Sequence, residues 1–513
     1  MNYRIIRHTI GQILKMIAAL LSVPFITSAV CGELSDHRVL FAFIVPALIM
    51  LALGYVLAGE PPEDKTFYSR EGIVIVGASW VVISVLGALP FLFWSAGKDL
   101  YAQLNFIDWL FESASGFSTT GATVLSGAQM AGMSRGLLMW RSLSQWIGGM
   151  GILLFALAVL PSSAGASGLF LLQNETTGFT AGKLVSKTTI NAKILYIVYG
   201  LLTALMILAL SLTGLSSGGT DFFNAVILSL GTASTGGFAA SAGSVGDFNV
   251  AVQVIVGIFM LLFGINFGLY FMLLIGRGRS VLKSEELRFY LIVTALVITV
   301  ISLNLWLATD GYGSFWNALG IAAFTSVSII TTTSYDITVA SGFSVHEWAA
   351  FSQVLLLGLM FIGGCAGSTS GGFKCSRVII LVKSAYAKCK GILNPNAVYT
   401  VKLDGKKLDD KTVSGVSNFF VLYMLIFLLG SVLISLDPFV SGSGQPLLTS
   451  LSSVLSSISN VGPGLAPETG MAGNYAGLLP VSKAFLSIVM LVGRLEIYPM
   501  LLLLSPKTYT RKY

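Results

Sequence analysis

The sequence predicts an all-α polytopic membrane protein. It is organised as four parallel outer helix–pore loop–inner helix repeats around a pseudo-fourfold pore, plus two extra N-terminal helices. Two observations carry this. The 513 residues are 55% hydrophobic and only 10% charged, with a mean hydropathy of +0.83, whereas a soluble globular chain carries about 25% charged residues. Four short segments also end nearly alike, each after a half-apolar stretch and before a long apolar run. They are Ser118-Thr119-Thr120-Gly121-Ala122-Thr123, Ser234-Thr235-Gly236-Gly237-Phe238, Thr331-Thr332-Thr333-Ser334-Tyr335 and Asn460-Val461-Gly462-Pro463-Gly464.

Apolar runs of about 20 residues cross a bilayer. Residues 1–70 supply two, at 10–30 and 38–58. No small-x-small cleavage site follows the first run, so it reads as a retained helix. The first repeat, 71–165, has an outer run at 72–96, a short segment from Leu104 to Phe117 and an inner run at 136–160. The second, 166–280, places these at 192–214, Asp221 to Ala233, and 249–275. The third, 281–390, has 288–308, Phe315 to Ile330, and 346–388, the last interrupted. The fourth, 391–513, has 414–436, Pro446 to Ser459, and 476–505. The signatures lie about 100–130 residues apart, so whole modules repeat rather than solenoid units. The short segments begin with helix-entry residues: Asn105 and Asp108, Thr220 and Asp221, Ser314, and Gln445-Pro446. About 14 helical residues span about 21 Å, enough to enter the membrane and return.

Charge sets the orientation. All but six of the 30 Lys and Arg fall on the side of the two termini; the exceptions are Arg38, Lys98, Arg135, Arg141, Lys483 and Arg494. The positive-inside rule therefore places both termini in the cytoplasm and the signatures outside. The net charge of +7 follows from topology, and nucleic-acid binding is not required. Cys31, Cys365, Cys375 and Cys389 have neither zinc nor disulfide spacing, and His8, His37 and His346 are scattered. No paired base or ligand cluster supports an enzyme. Asn174-Glu175-Thr176 matches a glycosylation sequon but falls on the cytoplasmic side. The polar, basic stretch 390–413 reads equally as a solvated connector and as a docking site for a cytoplasmic partner.

The signatures offer little acid–base chemistry but expose backbone carbonyls. Four such strands can replace the water shell of a monovalent cation. The candidate filter comprises Thr119, Thr120, Gly121, Thr235, Gly236, Thr332, Thr333, Ser334, Asn460, Val461 and Gly462. Matching Thr-Gly pairs aligns Thr120-Gly121 with Thr235-Gly236, Thr333-Ser334 and Val461-Gly462, and assigns the ion to the backbone of Thr120, Thr235, Thr333 and Val461. Glycine frees the backbone to aim carbonyls inward. Ser334, with its Cβ, departs from that pattern.

The eighth run is broken by Gly363-Gly364-Cys365-Ala366-Gly367-Ser368-Thr369-Ser370-Gly371-Gly372. Each glycine costs about 1 kcal/mol relative to alanine in a helix, so a flexible loop is expected; close helix packing is the alternative. The stretch precedes Lys374, yet lacks the Gly-Lys-Ser/Thr ending of a phosphate loop. Arg494 lies within the last inner run and reads as a positive barrier to cations, or as a helix-tying ion pair. Asp108, Glu112, Asp221 and Asp336 sit near the signatures, where they attract cations or, for Asp108 and Asp221, cap helices.

These strings resemble the Trk/Ktr/HKT superfamily of potassium transporters, most closely its bacterial membrane-subunit branch with two extra N-terminal helices. The resemblance rests on Phe117 to Thr123, Trp140-Arg141-Ser142-Leu143-Ser144-Gln145-Trp146-Ile147-Gly148-Gly149-Met150-Gly151, Phe361 to Thr369, Asn460 to Gly464, and Gly493-Arg494-Leu495-Glu496. It implies potassium uptake across the bacterial inner membrane, with potassium transported and no organic cofactor. It also implies a gate formed by Gly363, Gly364, Gly367, Ser368, Thr369, Gly371, Gly372, Lys374 and Arg494. The implied partners are a second copy of the chain and a cytoplasmic TrkA-like nucleotide-binding regulatory subunit. A less selective or ion-coupled cation transporter is the nearest alternative. An organic-solute transporter would want mid-membrane ionisable groups, and only Arg494 and Glu496 qualify.

Overall fold

A computed structural model describes residues 1–60, 69–151, 188–308, 314–338, 342, 344–396, 399–471 and 473–509. The sequon at 174–176, the 165/166 repeat boundary and the far half of run 136–160 lie outside these residues. The regular secondary structure among the described residues is helical apart from one antiparallel hairpin, Lys402–Leu403 with Lys406–Lys407.

Helix Tyr3–Leu20 continues as Ser22–Val30 and packs along His37–Ala58. Gly11 sets the closeness of that contact, since a Cβ there would stand 2.6 Å from the Gly54 carbonyl oxygen. Small residues let membrane helices approach in this way.

Each repeat then follows the expected order. The outer helices are Ser69–Gly87, Thr188–Thr213, Glu285–Ala308 and Asp410–Ser435. The short helices are Phe106–Phe117, Phe222–Ala233, Phe315–Ile330 and Pro446–Ser459, within two residues of their sequence-derived bounds. Their entry residues act as expected. Asn105, Asp221 and Ser314 accept hydrogen bonds from backbone N–H groups of the first turn, and Asp108 completes a capping box with Asn105. Pro446 occupies the first turn of the fourth, where its missing N–H is harmless.

The inner helices differ from expectation. Only the third was expected to be interrupted, yet every one stops: Arg135–Met150 at Gly151, Val250–Phe263 at Gly264, Ala350–Ile362 at Gly363 and Pro480–Arg494 at Leu495. The second turns by 89° before continuing as Phe267–Leu274. In the fourth, Glu496 and Ile497 both adopt positive φ before helix Tyr498–Leu504. Among the described residues, six helices are therefore long and apolar enough to cross a membrane, or seven with the bent pair. Runs 346–388 and 476–505 are made of shorter pieces.

Two buried ion pairs bind repeats to one another or within themselves. Lys483 of the fourth inner helix pairs with Asp108 of the first short helix. Arg141 pairs with Glu112 at 2.7 Å, both almost fully buried. Asp108 and Glu112 are thus paired, which corrects their reading as cation-attracting groups, while the capping alternative for Asp108 holds. Asp108→Ala leaves Lys483 buried without its partner and should destabilise the protein by about 3–5 kcal/mol. Thermal unfolding in detergent measures this, and pairing the change with Lys483→Met should recover most of the loss.

Candidate functional site

Each short helix ends in the same turn. The N–H groups of Thr120, Gly236, Thr333 and Val461 donate to the carbonyls of Ser115, Gly231, Ser328 and Ser456 at 2.9, 2.9, 2.9 and 2.8 Å. The residue before each is left-handed: Thr119 (φ 56°), Thr235 (52°), Thr332 (57°) and Asn460 (54°). This six-to-one bond around a left-handed residue is a Schellman-type helix ending. The residue after each is left-handed again: Gly121 (83°), Gly237 (77°), Ser334 (68°) and Gly462 (117°).

That periodicity corrects the alignment of the second repeat. Gly237, not Gly236, corresponds to Gly121, Ser334 and Gly462. Thr235 corresponds to Thr119, so the equivalent of Thr120, Thr333 and Val461 is Gly236. Matching Thr-Gly pairs misaligned this repeat because it carries two consecutive glycines. Alternation of left-handed and ordinary residues turns successive carbonyls to one side and N–H groups to the other.

The four strands meet in a cycle. A Cβ on Gly121 would run into the Gly236 carbonyl oxygen, and one on Gly237 into that of Thr333. A Cβ on Gly462 would lie 2.5 Å from the Thr120 carbonyl oxygen and 3.2 Å from Ser334 Oγ. Repeat one therefore touches two, two touches three, three touches four, and four touches one. Asn460 Nδ2 donates to Thr120 Oγ1 at 3.0 Å across the last junction. Ser334 carries a side chain where the other three strands have none. Its hydroxyl is buried with no hydrogen-bond partner among the described residues.

A polar frame holds the strands from behind. Gln145 donates to the Gly236 carbonyl (2.7 Å) and accepts from the Phe238 N–H (3.1 Å). Glu112 accepts from Thr123 Oγ1 and the Val124 N–H. Its partner Arg141 donates to the Ala239 carbonyl at 3.2 Å and lies 4.0 Å from the Phe238 ring centroid. Tyr335 and Tyr475 hydroxyls donate to the Phe238 and Gly462 carbonyls at 3.2 and 3.0 Å. Above the ring is a cavity of about 140 Å³, lined by Thr123, Arg141, Phe238, Ser334, Asp336 and Asn474 among others. Asp336 reaches this cavity but is itself mostly buried, accepting from Thr338 N and Oγ1 at 2.8 Å each.

The sequence-derived gate residues gather on the other side of the ring. The Gly371 N–H donates to Thr332 Oγ1 at 2.7 Å, and a Cβ on Gly371 would strike the Ser459 carbonyl. Gly363, Gly367, Gly372 and Lys374 all have positive φ, which folds the loop back on itself. Gly364 packs on Ser370, and Ser368 Oγ donates to the Cys365 carbonyl at 2.6 Å. The loop also fills the bend of the second inner helix. Cys365 N–H donates to the Gly264 carbonyl (3.0 Å), Phe267 N–H to that of Gly367 (3.0 Å), and Thr369 Oγ1 to that of Phe263 (3.3 Å). Lys374 Nζ turns back onto the Ser370 carbonyl.

Arg494 donates to the carbonyls of Thr369 (2.8 Å), Gly148 (2.7 Å) and Gly149. One guanidinium thus joins the first and third repeats to its own helix. Glu496 pairs with Arg377 rather than Arg494, as expected of residues two apart. Beneath the ring lies a cavity of about 10 Å³ among Gly371, Lys374, Asn460, Arg494 and Glu496, roughly what one water needs.

Two residues escaped sequence reasoning. Gln145 was visible only as part of a matching string. Glu286 was assigned to a cytoplasmic connector, yet it is buried and accepts hydrogen bonds from the loop. Its one signal was an acidic pair opening a long apolar run.

Four short helices that each end in an irregular strand, set among helices long and apolar enough to cross a membrane, define an all-α multi-pass membrane protein. The profile of the TrkH family, described as a cation transport protein, matches residues 39–512. The chain is 34% identical over 510 residues to the Trk system potassium uptake protein TrkH of Salmonella typhimurium, covering 99% of both. It is 31% identical over 516 residues to the Trk system potassium uptake protein TrkG of Escherichia coli, covering 98% of both. The crystal structure of the potassium transporter TrkH from Vibrio parahaemolyticus matches with a TM-score of 0.83 at 30% identity, over 99% of this chain and 100% of that one. The chain belongs to the TrkH family of cation transport proteins, as the motif resemblance implied.

The corrected register has a direct consequence. Gly237→Ala places a methyl against backbone at a positive φ, whereas Gly236→Ala meets the movable end of Gln145. Cation flux in liposomes should fall at least tenfold for Gly237→Ala and by clearly less for Gly236→Ala; the reverse order would contradict the register.

Proposed function

We propose that this protein takes up potassium across the bacterial inner membrane through a gated, channel-like pore. The observation that carries this reading is the cyclic meeting of the four signature strands. A cation on their axis would exchange its water shell for backbone carbonyls. The corrected ligand set takes them from Thr119, Thr120 and Gly121; Thr235, Gly236 and Gly237; Thr332, Thr333 and Ser334; and Asn460, Val461 and Gly462. The four short helices present their C-terminal, partially negative ends to the same place. The relatives' names as potassium uptake proteins support potassium as the ion.

The arrangement beneath the ring supports a closed state. The 363–372 loop blocks the path sterically, and Arg494 adds a positive charge that a cation must pass. Because both hydrogen-bond into neighbouring repeats, opening requires a concerted exchange of partners rather than a side-chain swing.

Repeats at 71–165, 166–280, 281–390 and 391–513 after the 1–70 extension belong to this reading. Both termini are cytoplasmic on the charge distribution. A homodimer and a TrkA-like nucleotide-binding regulator belong to the same reading, the relatives being components named for a Trk system. One observation favours weaker discrimination against sodium: the Ser334 hydroxyl, without a hydrogen-bond partner among the described residues, supplies an oxygen that the equivalent Gly121, Gly237 and Gly462 lack.

Expressed in bacteria lacking their own potassium uptake, the protein should restore growth on low potassium. Absence of rescue with confirmed membrane insertion would overturn the reading. Arg494→Ala should raise potassium flux severalfold if Arg494 is a barrier; reduced flux in stably folded protein would assign it a structural role. Ser334→Gly should raise the potassium-to-sodium permeability ratio in liposomes, and an unchanged ratio would remove the case for weak selectivity.

A further inference from the structure

The intramembrane loop is held at both ends by one atom. Glu286 lies in the first turn of the third outer helix, Glu285–Ala308, and is buried. Its Oε1 accepts from the Ala366 N–H at 2.7 Å and from the Ser376 N–H at 3.0 Å. Ala366 is near the loop's entry, and Ser376 is the second residue of helix Cys375–Leu393, into which the loop exits. Two backbone bonds also cross the loop's neck, Phe373 N–H to the Phe361 carbonyl and Cys375 N–H to that of Gly364, at 3.0 and 3.1 Å, beside a bond from the Cys375 thiol to the Gly363 carbonyl at 3.5 Å. Both N–H groups converge on a single buried carboxyl oxygen, so removing that oxygen leaves two buried donors without it.

The preceding residue faces the polar segment that sequence analysis left open. The Glu285 N–H donates to Asp404 Oδ1 at 2.7 Å. Glu285 itself pairs with Lys383, whose Nζ also donates to the Lys402 carbonyl at 2.8 Å. Lys402 and Asp404 belong to the hairpin 402–407, whose turn has Asp404 and Gly405 at positive φ of 48° and 75°, the pattern of a tight two-residue turn. Consecutive residues on one helical turn thus hold the exposed hairpin and the buried loop.

We propose that Glu286 is the positioning residue that latches the intramembrane loop in its closed arrangement, and that Glu285 ties this latch to the hairpin 402–407. Displacing the hairpin shifts the first turn of the outer helix and withdraws the carboxylate from Ala366 and Ser376. The proposal rests on the reading of the loop as a gate, but the latch can be tested without conduction.

Two native thiols report on it. Cys365 and Cys375 adjoin Ala366 and Ser376 and are buried, while Cys31 is half-buried and Cys389 exposed. In a full-length Cys31→Ser, Cys389→Ser background in liposomes, a small methanethiosulfonate reagent should modify the loop thiols slowly. Glu286→Ala should raise that rate severalfold and raise potassium flux, with the potassium-to-sodium ratio unchanged. Asp404→Ala, in an exposed turn, should give a smaller rise, and the double variant should match Glu286→Ala alone. Thiols that stay protected in Glu286→Ala would overturn the latch. Multiplicative effects, or no effect of Asp404→Ala, would overturn the link to the hairpin. If Glu286→Ala does not fold, as judged by its melting transition, Asp404→Ala carries the test, and unchanged thiol protection there counts against the proposal. Raised thiol reactivity with unchanged flux would leave the latch standing and remove the gate reading instead.

Discussion

A backbone that leaves the helix inside a bilayer must be buried in protein or line a watery cavity. This chain leaves the helix repeatedly at membrane depth, and the rest of the structure answers that requirement. The short helices close with six-to-one bonds to their own last turn. The bend at 264–266 frees backbone groups that the third repeat's loop then satisfies, through Cys365, Gly367 and Thr369. Arg494 takes up the carbonyls left open where the first inner helix ends, at Gly148 and Gly149. The loop, the bend and the arginine are therefore joined in one hydrogen-bonded unit.

The same logic explains the charges. A carboxylate left free beside a ring of carbonyls would hold a cation tightly and slow its exit, and conduction needs binding weak enough to leave. Here Glu112 and Asp108 are paired with Arg141 and Lys483. The ring can offer dipoles rather than full charges, from backbone carbonyls and the C-terminal ends of the four short helices. Its symmetry is broken in two ways: Gln145 fastens the Gly236 carbonyl, and Ser334 stands where its counterparts are glycine.

Much of this was legible in the sequence, because it is local. Helix entry is written in single residues, so Asn105, Asp221, Ser314 and Pro446 marked the short helices closely. Ten small residues in a row announced the loop, and the motif strings pointed to the family. What was not legible depends on distant partners. Gly264 and Asn266 are ordinary members of an apolar run, and the bend between them is supported by a loop about a hundred positions away. Glu286 resembled any acidic residue opening a membrane helix, since its partners are N–H groups at 366 and 376. The second repeat's register was hidden by adjacent glycines, because only the φ angles tell which one carries the left-handed turn.

The central claim is that the four strands form one cation site on a shared axis. Anomalous diffraction from crystals grown in thallium, a potassium mimic, tests it most directly. The account predicts anomalous peaks on the axis between Thr120, Gly236, Thr333 and Val461, at carbonyl-ligand distance from all four repeats. Peaks confined to the cavity above the ring, or placed against one strand away from the axis, would contradict it.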